Sequence, residues 1–400
     1  MKNETKILVQ YSKLIRIASL CKRLMIRSWM ALCRILPIVN NKIVIVNYYG
    51  KGYGDNGKAI VQKLLMQDIP LDIVWAVKSL TEIENFPPGV RFVKFRSLTF
   101  YKEMATARIW IDNSRQGAAI IKRSGQFYIQ TWHGGLPLKQ IEKDAYEHLA
   151  RGYLDDAIYD SKKIDLMISG NAFFSKLCKT SFWYDGAILE CGTPRLDSLI
   201  NYDQSERNII CEKLGLPKDK KFVLYAPTFR VNKDMECYNL YYNKILNTLE
   251  KKTGDEWCFI VRLHPNISVE QDTLRYSSSV LNGTQFPDLY ELLKITDLLI
   301  SDYSSVIFEG ALLEKPVALF TTDLDAYIKD RNFYFNLNEL PFPICENNEM
   351  LMRTIECFDT AAYKVEVEKF NDSINYFETG EAASRIVHII LEVIQNEKYC

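Results

Sequence analysis

From Lys42 onward the chain alternates short β-branched or aromatic runs with longer amphipathic stretches. Ile43–Tyr48 reads as a buried strand and Asn56–Met66 as a helix. Strands follow at Ile73–Val77, Arg91–Phe95, Ile109–Ile111, Tyr128–Trp132, Leu166–Ser169 and Ile188–Glu190, with helices over Leu98–Ala107 and Ala172–Phe182. A second series begins after Gly215-Leu216-Pro217. It has strands at Phe222–Tyr225, Cys258–Arg262, Leu298–Ser301 and Val317–Phe320, and helices at Tyr238–Leu249, Leu289–Ile295 and Val306–Leu313. A last helix is expected over Glu381–Asn396. Alternating strand and helix predicts parallel sheets with right-handed crossovers. The expectation is therefore two doubly wound, Rossmann-like α/β domains, residues 42–205 and 206–375, facing a cleft, with a C-terminal helix over 376–400. In open sheets of this kind ligands sit at the carboxyl ends of strands.

Residues 1–41 follow a different pattern. Leu14, Ile17, Leu20, Leu24, Met25, Trp29, Leu32 and Leu36 can share one broad helical face edged by Lys and Arg. Nine basic residues and a single acid, Glu4, lie between Met1 and Lys42, so this segment carries +8 and the rest of a formally neutral chain −8. Arg27 and Arg34 break the best apolar run, Leu24–Val39, so no membrane span is expected, and no signal peptide fits. A basic amphipathic arm with Trp and Leu can lie in the headgroup region of an anionic bilayer; the alternative is a helix packed on the protein's own core.

Composition narrows the field. With 400 residues, 48% hydrophobic and 25% charged, the chain suits two globular domains. Zero net charge argues against a nucleic-acid binder. Ten cysteines without a C-x-x-C pair read as reduced thiols in a cytoplasmic protein rather than a zinc site or disulfide framework.

Candidate chemistry clusters where strands end. Gly50-Lys51-Gly52-Tyr53-Gly54-Asp55-Asn56 is a glycine-rich turn without the dinucleotide spacing. In Gln130-Thr131-Trp132-His133-Gly134-Gly135-Leu136-Pro137-Leu138-Lys139, His133 stands at a strand end beside two glycines, and an imidazole can take a proton at neutral pH. His148 lacks such a setting, and His388 reads as packing in the last helix. Arg262 and His264 end another strand and could both face a phosphate. In Ser301-Asp302-Tyr303-Ser304-Ser305 a strand runs into two serines that open a helix, where N–H groups and hydroxyls can cradle an anion; Glu309 follows one turn later, in reach of a ribose hydroxyl. Arg230 suits either a phosphate or an acidic partner. Thr193-Pro194-Arg195-Leu196-Asp197 reads as an interdomain turn held by an Arg–Asp pair or as a ligand contact. Asp323-Leu324-Asp325 is a weak cation site, since a hard cation wants more oxygen ligands, and no metal is expected.

Together TWHGGLPLK, GTPRLDSL, YAPTFR, RLHP and SDYSSVIFEGALLEKPVALF resemble the CDP-glycerol glycerophosphotransferase family, teichoic acid glycerol-phosphate polymerases included, over residues 43 to about 375. The sequence looks more like the capsule- or polysaccharide-associated members. The His133 loop is one residue longer than the family's usual form. The resemblance implies a glycosyltransferase-B-like fold, a CDP-alcohol as donor substrate, no further cofactor, and an enzyme held peripherally at the cytoplasmic face of the cell membrane. It implies that an acceptor hydroxyl attacks the β-phosphorus of CDP-glycerol and expels CMP. His133 would be the base. Arg230, Arg262, His264, Asp302, Ser304, Ser305 and Glu309 would hold the donor, and Gly134, Gly135, Lys139, Asp55 and Asn56 would lie on the acceptor side. The expected partners are the donor, a lipid-linked glycan or polyol-phosphate acceptor, an anionic membrane surface and a second copy of the chain. A nucleotide-sugar glycosyltransferase and a non-catalytic, membrane-docked polysaccharide-binding protein are the alternatives.

Overall fold

The computed structural model describes residues 2–79, 86–228, 230, 238–263, 276–284, 286, 288–324, 327 and 332–395, without the side chains of residues 2–16. Strands β1 (Val39–Val46), β2 (Asp72–Val77), β3 (Val90–Lys94), β4 (Ala107–Asp112), β5 (Phe127–Gln130), β6 (Leu166–Ser169) and β7 (Ala187–Glu190) form a parallel sheet in the order β3-β2-β1-β4-β5-β6-β7. Strands β8 (Lys221–Tyr225), β9 (Trp257–Val261), β10 (Val280–Asn282), β11 (Leu298–Ser301), β12 (Val317–Phe320) and β13 (Ile344–Cys345) form a second, in the order β10-β9-β8-β11-β12-β13. Each order reverses once, between β1 and β4 and between β8 and β11. These are the crevices where doubly wound sheets bind ligands.

The helices of the first half are α1 (Lys2–Cys33), α2 (Asp55–Leu64), α3 (Leu98–Thr106), α4 (Arg151–Ser161), α5 (Ala172–Thr180), α6 (Asp197–Ile200) and α7 (Arg207–Leu214). Those that follow are α8 (Tyr242–Thr253), α9 (Leu289–Ile295), α10 (Val306–Leu312), α11 (Asn348–Cys357), α12 (Thr360–Ile374) and α13 (Ala382–Gln395). Helices on both faces explain why the central strands are apolar at consecutive positions: Ile43, Val44 and Ile45 are all fully buried. α2 lies close on the sheet because Gly57 carries no side chain; a Cβ there would stand 2.8 Å from the Trp75 ring.

The chain does not end in its second domain. After α12 it returns, and α13 buries Ala382, Ile386 and Ile390 in the same cluster as Ile43 and Ile60 of the first domain. The opening N–H groups of α13, on Ala382 and Ala383, donate to the two carboxylate oxygens of Asp197 at 3.0 and 2.8 Å. Asp197 is thus a helix cap, not the partner of Arg195 that the turn suggested. His388 corrects a second expectation: its side chain is exposed and pairs with Glu392 at 3.3 Å.

α1 joins the body through its last turns. Ile26, Met30 and Cys33 are buried, and the indole N–H of Trp29 donates to the Leu98 carbonyl at 2.8 Å. Arg23 pairs with Asp156 at 2.9 Å and Arg27 donates to the Ala118 carbonyl. Trp29 therefore turns toward the protein, away from the face shared with Leu20, Leu24, Met25, Leu32 and Leu36, which stay exposed. Among the described residues no helix is long and apolar enough to cross a membrane.

Replacing Asp197 with Ala strands two helix-opening N–H groups. The expected loss is about 0.5–2 kcal/mol, read as a lower urea midpoint of the first domain. Asp197→Asn, which can still accept, should recover most of it.

Candidate active site

The first switch point is built from residues that follow β1, β4 and β5. His133 lies two residues beyond Thr131, whose N–H donates to the Asp112 carbonyl. Its Nδ1 stands 2.7 Å from the carbonyl oxygen of Asn113. A carbonyl only accepts, so Nδ1 carries the proton and Nε2 is left as the lone-pair nitrogen. The imidazole leans on the Trp132 ring, with centroids 4.3 Å apart, and the Tyr48 ring lies 5.5 Å away. Desolvation in the cleft lowers the His133 pKa; the Asn113 carbonyl and the Asp55 carboxylate pull the other way without cancelling it. The neutral ring is therefore the dominant form at pH 7.

Asp55 and Asn56, expected on the acceptor side, brace this wall. Tyr48 donates its hydroxyl proton to Asp55 at 2.5 Å. The Asn56 amide donates to the Trp132 carbonyl at 3.0 Å, and its Oδ1 accepts the Arg195 backbone N–H at 3.1 Å. The Gly135 carbonyl accepts from Asn171 at 2.9 Å. Lys139 faces the second domain: its ammonium lies 4.7 Å from the Tyr327 ring centre, and its backbone bridges to Phe333. Four of the nine non-glycine residues with positive φ among those described, Tyr48, Asp55, Trp132 and Glu142, touch His133 or act on its charge. Such backbone strain concentrates at functional sites.

The second switch point faces it. Asp302 follows β11 and accepts from the Thr228 N–H at 2.9 Å and the Thr228 hydroxyl at 3.0 Å. Arg230 is held by Asp302 at 2.8 Å and by Asp323 at 2.6 and 3.0 Å. Burial pushes the Asp323 carboxyl up, but Arg230 outweighs it and holds the net pKa below the ordinary value. Arg230 thus has acidic partners within the protein. Ser304 and Ser305 are half-buried just before α10, and the Val306 N–H stands 3.4 Å from the Ser304 hydroxyl oxygen. Glu309 is occupied: its Oε1 accepts from Arg195 at 2.8 and 3.2 Å. Arg262 donates to the carbonyls of Gly283 (3.1 Å) and Phe286. His264 and Asp325 lie outside the described residues, and among those described no cluster of His, Cys, Asp or Glu could hold a metal.

The structure adds members that the motifs did not single out. Asn113 acts through its carbonyl, which no side-chain pattern announces. Arg195 was noticed, but its partners Glu309 and Asp55 lie far along the chain, the latter at 3.5 Å. Lys58 and Asp288 make a second bridge between the domains at 2.5 Å. Tyr303 and Tyr327 stack at 3.8 Å beside Arg230.

Known proteins share this fold. The chain is 30% identical over 403 residues to a teichoic acid poly(glycerol phosphate) polymerase of Bacillus spizizenii, covering 97% of this chain and all of that one. Against the polymerase of that name from Bacillus subtilis it is 29% identical over 95% of its own length but spans only 53% of the relative. The solved wall teichoic acid polymerase TagF, in a histidine-to-asparagine variant soaked with CDPG, superposes with a TM-score of 0.81 at 30% identity, over 97% of this chain and 98% of that one. A sequence model described as CDP-Glycerol:Poly(glycerophosphate) glycerophosphotransferase matches residues 28–392. With two opposed switch points, one presenting an oriented imidazole and the other a serine-opened helix, the chain belongs to the CDP-glycerol:poly(glycerophosphate) glycerophosphotransferase family.

Proposed function

We propose that this protein transfers glycerol phosphate, or the phosphate of a related polyol, from a CDP-alcohol to a hydroxyl of a membrane-linked, teichoic-acid-like acceptor. The carrying observation is the His133 imidazole, whose Nδ1–H is committed to a backbone carbonyl while the exposed ring keeps its Nε2 lone pair. A neutral alcohol is a weak nucleophile, so a base at its proton is the help it needs. The acceptor O–H gives its proton to Nε2 as its oxygen bonds to the β-phosphorus of the donor. The bond from that phosphorus to the bridging oxygen breaks, and CMP leaves with the electron pair. A phosphate with a second pKa near 6 is a competent leaving group without an acid.

On the facing side, Ser304, Ser305 and the N–H groups that open α10 meet the donor's phosphates; His264 belongs to this reading by its sequence motif alone. Arg230, already paired with Asp302 and Asp323, frames this cradle rather than neutralising the donor, and Glu309 does the same through Arg195. Arg262 shapes the loop behind. Gly134 and Gly135 leave room for the acceptor next to His133, and Lys139 stands at the cleft between the domains. No metal enters this scheme. The names of the teichoic acid polymerases, and the CDPG soak of TagF, support the choice of donor and acceptor.

The basic arm supports a position on the cytoplasmic face of the membrane. Its exposed Leu20, Leu24, Met25 and Leu32 provide the apolar contact, although Arg23 and Arg27 are spent on docking α1 to the body.

Three outcomes are expected. First, the acid limb of the kcat/KM profile lies below pH 6.5, because the base must be neutral and its pKa is lowered. His133→Asn should reduce turnover by about 10²–10⁴-fold with the CDP-glycerol Kd unchanged; near-normal turnover would remove the base assignment. Second, calorimetry should rank CDP-glycerol or CDP-ribitol above UDP-sugars. Ser304→Ala with Ser305→Ala should weaken donor binding, each hydrogen bond to a charged group contributing about 1.5–3 kcal/mol. Third, deleting residues 2–22, which removes Lys2, Lys6, Lys13, Arg16 and Lys22 but keeps Leu24, Met25 and Leu32, should weaken flotation with anionic vesicles at low salt while leaving transfer to a soluble acceptor intact. The longer cut, residues 1–40, would take Met30 and Cys33 out of the core.

A further inference from the structure

Behind His133 lies a buried charge cluster with no part in the transfer as written. Arg115 and Glu142 are each 1% exposed at their side chains and pair at 2.7 Å. Asp160 stands 3.5 Å from Arg115 and 3.1 Å from Lys163, so the ion pair continues into a second one. The Arg115 guanidinium also donates to Ser161 at 3.0 Å and to the Phe182 carbonyl at 3.4 Å. Its Cζ lies 5.7 Å from the Trp132 ring centre and 5.1 Å from that of Phe182. Phe182 meets the Trp132 ring edge-on, with centroids 4.7 Å apart and planes at 87°. The indole is thus held against Phe182 and the guanidinium, and the imidazole rests on it at 31° to its plane.

We infer that Arg115 is a positioning residue for the transfer: held by Glu142, it fixes the Trp132 indole, and the indole fixes the orientation of His133. This rests on the reading of His133 as the base. Three observations favour it over a stabilising role alone. Well-packed apolar replacements of a buried ion pair are often neutral or stabilising, so stability does not demand these charges. Trp132 and Glu142 both hold left-handed backbones, at φ 53°, to present their side chains here. The Trp132 backbone is tied independently, its N–H donating to Gln130 Oε1 and its carbonyl accepting from Asn56, so what Arg115 adds concerns the ring. A base held by one bond at Nδ1 can still swing about that bond, whereas one that also lies on a fixed indole cannot. Small misplacements of a reacting group can cost about 10²-fold in rate.

The test uses Arg115→Met combined with Glu142→Gln, which removes the pair without stranding either charge. The full-length variant should keep its melting temperature within a few degrees and its KM for CDP-glycerol within about twofold, while kcat falls about 10–100-fold. In the His133→Asn background the same two changes should produce no further loss of kcat. Nitrogen-15 histidine NMR should show a single Nδ1–H tautomer for wild-type His133 and averaging of the ring nitrogens in the variant. Unchanged kcat in the folded variant, an equal loss in the His133→Asn background, or an unaltered ring spectrum would overturn the proposal. Should the double variant not fold, Phe182→Leu removes the ring beneath the guanidinium, keeps the ion pair, and is read by the same kinetics and spectrum. If His133→Asn itself retains turnover, the base reading fails; the ring spectrum, which needs no activity, still decides whether Arg115 orients the imidazole.

Discussion

The ion pair between Arg195 and Glu309 sets what the two sheets can do together. Each sheet carries a switch point, and this pair bridges the two domains that hold them. Arg195 leaves a loop of the first domain, Glu309 projects from α10 of the second, and they meet at 2.8 Å with side chains 3% and 10% exposed. Breaking a buried pair by removing one partner typically costs about 3–5 kcal/mol. Against the cost of its own burial, Tyr290, Glu309 and Asp55 keep the guanidinium pKa high. The same side chain thus ties α10, which opens at Ser304 and Ser305, to Asp55 beside the His133 wall.

That bracket is itself gripped by the returning chain. Glu378, between α12 and α13, accepts from the Thr193 N–H at 2.8 Å and the Thr193 hydroxyl at 2.7 Å. Gly192 makes this possible: it has φ +94°, and a Cβ there would stand 2.8 Å from the Glu378 carboxylate. Burial pushes the Glu378 carboxyl up to about 7. The loop that carries Arg195 is therefore fastened by a segment arriving from the other domain. Asp197, two residues on, caps the helix that this segment leads into. A short run of sequence, residues 192–197, links the site, the domain junction and the docking of α13.

Much of the fold was legible because buried parallel strands are nearly continuous in apolar residues and their helices are amphipathic. Leu166–Ser169, Leu298–Ser301 and Val317–Phe320 appear with the bounds their patterns predict. What escaped was structure with weak or borrowed signals. β13 is two residues long, and β10 three. α11 and α12 bury few residues each, Leu351 and Ile355 in one and Tyr363, Val367 and Ile374 in the other, too sparse a stripe to stand out. α13 was visible as a helix, but nothing local says that it packs on the first sheet. In α1 the periodicity grouped Trp29 with Leu20 and Leu24 on one broad apolar face, whereas its ring packs on the first domain's core and its indole N–H donates to Leu98.

For the site, the strand-end rule pointed to the two switch points, where His133 and the Asp302–Ser305 run stand, since it depends on topology that the pattern reveals. It could not say which polar groups would already be matched within the protein. Arg230 satisfies Asp302 and Asp323, Arg195 satisfies Glu309, Arg262 satisfies backbone carbonyls, and Arg115 satisfies Glu142. A buried cation left unpaired would be costly, so these arginines acquire partners wherever the fold brings an acceptor within reach. A chain with no net charge can then keep a cleft whose walls are internally neutral. Among the described residues, the Ser304 and Ser305 hydroxyls, the N–H groups that open α10 and the His133 imidazole lie at the two switch points outside these ion pairs, and these are the groups that the proposed movement of a phosphoryl group between two oxygens calls on.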